Sequence, residues 1–268
     1  TNTNTVTAMD PKTAPITPRP APHECLVWIK QAVYGNEYVV NINGQQVTVQ
    51  TPVAALINDG TTVTENRIST EGIAQQIIDG LSGALSGYTL TRAGSVIWVR
   101  GGSPITVSAT DAKGNATITA ILNQVQVFTE LPTIAPANYQ VEILGDPGNN
   151  FDGYYVEFLP RNGNFGEGAW EETVSPGVEY EIDAGTMPHA LVRLPGGDFY
   201  FGPFDGETVD GIELPVWGDR TCGDFDTVPD PSFIGNFIAD IFVYKNRLGF
   251  LADENVILSR TGEFFGFF

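Results

Sequence analysis

The run LVWIKQAVYGNEYVVNINGQQVTVQT, residues 26–51, sets the fold class of the chain. Asn43 and Gly44 stand inside it, and both residue types tolerate the positive φ angles of a tight hairpin turn. The segments around this pair are rich in Val, Ile, Tyr and Trp, which favour extended structure. The run therefore predicts three strands, at about 26–34, 37–43 and 46–51.

One helix is predicted downstream of these strands, at about residues 70–86. Ser69 or Thr70 can cap its first turn, where the negative charge of Glu71 is also favourable. Gly87 is expected to end it. Apolar residues recur every four positions and form an amphipathic face, namely Ile73, Ile77, Leu81 and Leu85.

Hairpins are predicted on both sides of a proline-containing joint at 131–136. Upstream, one hairpin turns at Ala93-Gly94 and another turns near Lys113–Asn115. Downstream, the pattern of apolar strand, glycine-rich turn and aromatic strand returns, and ALVRLPGGDFYF resembles YTLTRAGSVIWV. The spacings agree only loosely, so an internal duplication and convergent hairpin patterning both remain open.

The fold class predicted from these elements is mainly β with one principal α-helix (α+β). Proline fixes φ and removes a backbone donor, so the segment PKTAPITPRPAP, with its five prolines, favours an extended arm. The expected divisions are an arm at 1–24, an α+β domain at 25–130, a second β-rich domain at 131–204, an irregular acidic linker at 205–232 and a further β region at 233–268.

The charge and composition exclude several classes of protein. The formal charge is −19, from 32 acidic and 13 basic residues, and no basic cluster is visible. Such a surface repels nucleic acid rather than holding it, although acidity can also simply favour solubility. Cys25 and Cys222 are far apart and are predicted to be unpaired thiols. No run of about 18 apolar residues predicts a membrane span.

Carboxylate pairs raise the hypothesis of glycan cleavage. That reaction needs two carboxyl groups at a defined separation, and the candidate pairs are Glu171 with Glu172, beside Trp170, and Asp146 with Asp152. Adjacent acids also occur by chance in so acidic a chain. We therefore predict no catalytic residues.

Metal and histidine chemistry are also weighed against simpler structural roles. Asp146, Asn149 and Asp152 lie in an oxygen-rich run that could suit calcium, but it lacks the ligand spacing of an EF-hand loop. The same residue types form ordinary tight turns. His23 and His189 are far apart and are expected to be structural. We predict no metal site and no cofactor.

The last residues, Tyr244–Phe268, are the strongest part of a family resemblance. Asn246–Leu251 (NRLGFL) and Ser259–Phe265 (SRTGEFF) resemble the tail nozzle family of short-tailed bacteriophages, the tail tubular protein B family. Further segments that resemble it occur in order along the chain: TVTAMDP at 5–11, GDPGNNFDGYYVEF at 145–158, WEETVSPG at 170–177 and TMPHALVR at 186–193.

The resemblance implies a structural virion protein with no catalytic residues. It implies a sixfold homo-oligomeric ring below an adaptor protein, seating for tail fibres, and a lumen through which genomic DNA passes without specific binding. It also implies that 233–268 begins a propeller-like platform in a longer chain. The terminal aromatics Phe264, Phe265, Phe267 and Phe268 must then pack within a larger fold or against a neighbour. The alternative is a glycan-binding or glycan-cleaving receptor module of a phage tail.

Overall fold

The computed structural model describes residues 23–53, 68–145, 148 and 153–268, so nearly all of the predicted arm lies outside these ranges. The described part is mostly β-strand with a single α-helix, which confirms the predicted fold class. It contains two compact units, Pro18–Glu172 and a second that includes Thr173–Phe268. The domain limits at 25, 131, 205 and 233, the internal duplication and the propeller-like platform remain predictions.

The described residues of the first unit form one α-helix and three sheets. Its strands are ordered β4-β5-β1-β7, β3-β2-β6 and β8-β10-β11-β12-β9. The helix is α1 (Thr70–Leu81), and a short 3₁₀ turn spans Phe128–Glu130. The strands are β1 (Glu24–Ile29), β2 (Glu37–Ile42), β3 (Gln45–Gln50), β4 (Tyr88–Ala93), β5 (Val96–Gly101), β6 (Val107–Asp111), β7 (Ile118–Ile121), β8 (Gln124–Val125), β9 (Ile134–Pro136), β10 (Gln140–Ile143), β11 (Tyr154–Pro160) and β12 (Phe165–Thr173).

The central strands β1 and β5 are buried on both faces. Val27 and Ile97 belong to the cluster that includes the helix residues Ile73 and Ile77. Leu26, one residue away from Val27, belongs to a different cluster with residues of the five-stranded sheet. Because successive strand residues point to opposite faces, a strand covered on both sides needs a continuous apolar run. This explains why residues 25–29 are nearly all apolar.

The helix begins where the sequence predicts and ends earlier. The Ser69 hydroxyl accepts a hydrogen bond from the Gly72 N–H at 2.9 Å, which caps the first turn. The helix ends at Leu81 rather than near residue 86, and the Ser82 hydroxyl donates to the Ile78 carbonyl at 2.6 Å. Gly83 follows, and its low helix propensity favours an end here. Leu85 is nevertheless buried, in the turns beyond the helix.

Of the three hairpins predicted upstream of residue 131, two are confirmed and one is wrong. Antiparallel pairing joins β2 to β3 around Asn43-Gly44, and β4 to β5 around Gly94. The turn near Lys113–Asn115 exists, but β6 pairs with β2 while β7 pairs with β1. The Asp111 carboxylate accepts hydrogen bonds from the N–H groups of Lys113, Asn115 and Thr117. These bonds close the loop without a ladder, so each strand extends a different sheet.

The second unit has short strands around an aromatic core. Hairpins β13-β14 and β15-β16 accompany a three-stranded sheet of order β17-β18-β19. The strands are β13 (Ala190–Arg193), β14 (Phe199–Gly202), β15 (Thr208–Val209), β16 (Ile212–Glu213), β17 (Ile238–Tyr244), β18 (Arg247–Ala252) and β19 (Asn255–Leu258). The turn between β17 and β18 lies at Lys245-Asn246, where both residues have positive φ angles, of 45° and 61°.

The terminal phenylalanines pack into this core. Phe250 is fully buried, and its ring stacks on Phe267 with centroids 4.8 Å apart. Trp217 meets Phe265 edge to face at 5.3 Å, and Phe233 meets Phe267 at 5.2 Å. Of the two packing outcomes expected for these aromatics, the structure places Phe265 and Phe267 within the fold.

Candidate functional site

The pair Glu171 and Glu172 is not assembled for catalysis. Both residues are exposed in β12, and consecutive strand residues point to opposite faces of a sheet. Trp170 is a packing residue, because its indole N–H donates to the Pro132 carbonyl at 2.6 Å and its ring lies 5.0 Å from that of Phe158. The geometry gives the glycan hypothesis no support at these residues.

The remaining predicted ligands are dispersed or outside the described residues. Asp146, Asn149 and Asp152 all fall in the part of the chain that is not described. His189 is exposed in the second unit, with its ring 5.7 Å from that of Phe201, whereas His23 belongs to the first unit. Across the described ranges, no group of three or more His, Cys, Asp or Glu residues could hold a metal ion.

The two cysteines are free, as the sequence predicts. Cys25 is buried in the first unit, and this burial, together with the negative charge of Glu24, raises the pKa of its thiol to about 12. A thiol with such a pKa stays protonated at neutral pH and is a poor nucleophile. Within the described ranges, no helix has the length and apolar character that a membrane crossing requires.

A buried arginine organises the second unit, and sequence reasoning did not identify it. Arg220 is 1% exposed; its guanidinium donates to the Glu179 carbonyl at 2.6 Å and pairs with Asp230 at 2.5 Å. The same group lies over the rings of Phe225 and Phe268, at 4.8 and 5.0 Å. One cation thus joins the irregular segment around 219–230 to the end of the chain. In the sequence, Arg220 is a lone arginine within the acidic and aromatic run WGDRTCGDFD, and this isolation was the available indication of its role.

A neighbouring acid pair makes the stability of this unit depend on pH. Burial, followed by the negative charge of Glu181, raises the pKa of Asp219 from 3.8 to about 6. The folded chain therefore holds this proton more tightly than the unfolded chain does. Ionisation of Asp219 lowers the free energy of unfolding as the pH rises from about 4 to above 6.

Replacing Asp219 with asparagine is expected to remove this pH dependence. The variant should melt higher than the parent at pH 7.5, with a smaller difference at pH 4, because the parent carboxyl is then protonated in both states. Partial exposure of the side chain screens the charge, so the difference should be modest. Calorimetric melting curves at several pH values measure it, and the exposed Asp226→Asn variant is the control. A difference that does not grow with pH would contradict the assignment.

The pocket between Val216, Gly218 and the segment 262–266 has a volume of about 360 Å³. Its only charged lining residue is Glu263, whose carboxylate already pairs with Arg260 at 3.3 Å. This lining supplies neither a nucleophile nor a set of metal ligands.

Exposed apolar faces are the most distinctive surfaces of the second unit. The hairpin β13-β14 presents Leu191, Phe199 and Phe201, which are 66%, 62% and 64% exposed. The sheet β17-β18-β19 presents Tyr244 and Val256, at 55% and 64%. Apolar patches of this kind usually mark contact surfaces between proteins. These faces are therefore candidate contact surfaces.

Comparisons with known proteins identify a family that matches the chain. A family model described as bacteriophage nozzle protein matches residues 1–268. The tail tubular protein gp12 of Escherichia phage T7 is 33% identical to the chain over 247 residues. The alignment covers 91% of this chain but 28% of that relative, so the chain spans less than a third of the relative's length.

Proposed function

Because the chain belongs to the bacteriophage nozzle protein family, we propose that it is a structural part of a phage tail nozzle and forms part of the wall of the DNA-ejection conduit. The observation that carries this proposal is the family match along the whole chain. The exposed apolar faces support it, and so does the placement of Glu171 and Glu172 on opposite faces of β12.

The proposed setting is the virion tail, assembled in the host cytoplasm. In it the protein forms a homo-oligomeric ring, a hexamer, which contacts an adaptor protein on one side and helps to seat tail fibres. The similarity to a T7 tail tubular protein supports the place in the tail. No observation favours the receptor-recognition alternative, since Glu171 and Glu172 point away from each other.

A suppressor-dependent phage tests this function. With the gene interrupted by a nonsense codon, particles from a non-suppressing host should contain packaged heads with incomplete tails and should fail to eject DNA. Supplying the protein with both Glu171→Gln and Glu172→Gln should restore tails and infectivity, because these side chains are not used for chemistry. Complete tails without the protein would contradict the structural role. Restoration by the parent but not by this variant would favour the enzyme.

The strongly negative charge is compatible with the wall of a conduit through which DNA passes without binding. With a formal charge of −19, the protein repels phosphates over a distance that salt controls. We expect no retardation of duplex DNA by the isolated protein in a gel at about 10 mM ionic strength, where the Debye length is about 30 Å. A basic DNA-binding protein is the positive control. Retardation that disappears as salt is added would contradict a non-adhesive wall.

A further inference from the structure

The hairpin β13-β14 carries one face that no described part of the chain covers. Leu191 is directly opposite Phe201, and Arg193 is opposite Phe199. Their side chains share one face, because opposite residues of an antiparallel pair point the same way. All four are exposed. We refer to Leu191, Arg193, Phe199 and Phe201 as the hairpin face. A two-stranded hairpin is marginally stable alone, so a cover over this face would stabilise it.

The sheet β17-β18-β19 carries a second uncovered face. Phe250 and its cross-strand partner Ile257 pack in the aromatic core. The residues next to them along each strand point to the opposite, outer face. The outward residues are Asp240, Phe242, Tyr244, Arg247, Leu251, Val256 and Leu258, which we refer to as the sheet face. The ring of Phe242 lies across Gly249, where an added Cβ would come within 2.3 Å of it.

Strands with apolar residues on both faces also occur in the first unit. There, β1 and β5 are apolar on both faces, and both faces are covered. The strands β17 to β19 are likewise mostly apolar on both faces, but the described residues leave the outer face exposed at Tyr244 and Val256 and cover the inner face only in part, since Val243 there is 68% exposed. An antiparallel sheet with a solvated face ordinarily alternates polar and apolar residues. The sheet face therefore has the composition of a surface that is buried in the assembled protein.

The two faces carry charged residues of opposite sign. The hairpin face carries Arg193 and the sheet face carries Asp240; both are exposed, and neither forms an ion pair with another described residue. Arg247 on the sheet face and the exposed Asp198 beside the hairpin turn offer a second pair of opposite sign. A contact between two different faces is heterologous, and heterologous contacts form a closed ring when the rotation between copies closes.

We propose that the hairpin face of one copy docks on the sheet face of the next, with Arg193 against Asp240. The contact rests on the proposed nozzle function, because it supplies one of the joints of the ring. Exposed aromatic and aliphatic side chains provide the apolar area, and the ion pair fixes the register. The contact repeats identically at every joint, so one substitution acts on all joints at once.

A charge swap tests the contact in the complete protein as the phage expresses it. Arg193→Glu and Asp240→Arg should each place like charges together and weaken ring association at least about tenfold, since juxtaposed like charges are costly at an interface. The double variant should recover the ring. Mass photometry at a series of concentrations gives the populations, and circular dichroism melts check that each variant is folded. Glu171→Arg, an equal change of charge in the first unit, should leave the ring intact.

Each outcome has a separate meaning. Loss of the ring in both folded single variants, with recovery in the double variant, supports the contact. Rings that persist in the single variants, or a double variant that fails to recover them, overturn the contact and leave the nozzle function standing. A parent protein that stays monomeric both alone and in tails overturns the ring itself, and the contact with it.

Discussion

Replacing Arg220 with alanine is expected to lower the free energy of unfolding of the second unit by about 2–4 kcal/mol. The change leaves Asp230 without its 2.5 Å partner and the Glu179 carbonyl without its donor. It also opens space beneath the rings of Phe225 and Phe268. The effect is large because Arg220 is buried, so its removal leaves the Glu179 carbonyl without a donor and leaves space under two aromatic rings. The Asp230 side chain is 35% exposed, so water partly solvates its carboxylate and its loss of a partner contributes less.

The measurement is denaturant unfolding combined with hydrogen exchange to assign the loss to the second unit. The control is Arg260→Ala, which removes an arginine whose side chain is 48% exposed and whose partner Glu263 is also exposed. A surface pair of this kind contributes about 1 kcal/mol or less. Equal losses in the two variants would show that Arg220 does not organise the unit.

Truncating either face of the central sheet is expected to destabilise the first unit strongly. Leu26→Ala and Ile97→Ala each remove a side chain that is at most 1% exposed, in different clusters. Each should cost about 2–5 kcal/mol, from the lost transfer free energy and the cavity left behind. The comparison is informative because the two side chains lie on opposite sides of one sheet.

Unfolding curves of both variants, with exposed Thr48→Ala as the control, measure these costs. The control should stay within about 0.5 kcal/mol of the parent. A sheet with one solvated face would give one large and one small loss. That result would contradict the burial of β1 and β5 between two layers.

Local chemistry was predicted well from the sequence, and pairing over long distances was not. Asn43 and Gly44, with φ angles of 52° and 82°, specify their turn because both residue types tolerate positive φ, so no distant residue is needed. The strands around Lys113–Asn115 look like a hairpin, yet their partners are β2 and β1. Partner choice depends on which sheet edges are free, and that information is spread over the whole chain.

Burial, the end of the helix and ion pairing were the other features that could not be predicted fully from the sequence. The apolar run in β1 predicts a strand, but only the packed structure distinguishes burial on both faces from burial on one. The helix face was predicted from its period, whereas its end at Leu81 depends on competition from Ser82 and Gly83. Arg220 was missed because an isolated arginine among acids looks like a surface residue. Its burial becomes evident only once Glu179, Asp230 and Phe268 are brought together.

The exposed carboxylates show that acidic residues adjacent in sequence need not form a catalytic site. The neighbours Glu171 and Glu172 satisfy a search for paired acids, but a strand directs them to opposite faces. Whole-chain similarity to nozzle proteins and two uncovered apolar faces are more informative about function. Both observations indicate contacts with other proteins, and neither indicates a chemical reaction.

A cryo-electron microscopy reconstruction of the intact tail, with this chain traced in it, tests the central claim most directly. We predict that the chain forms a ring around the tail axis as part of the conduit wall, with hairpin and sheet faces of adjacent copies in contact. Density for the chain only at fibre tips or on the capsid surface, away from the axis, would contradict the nozzle function.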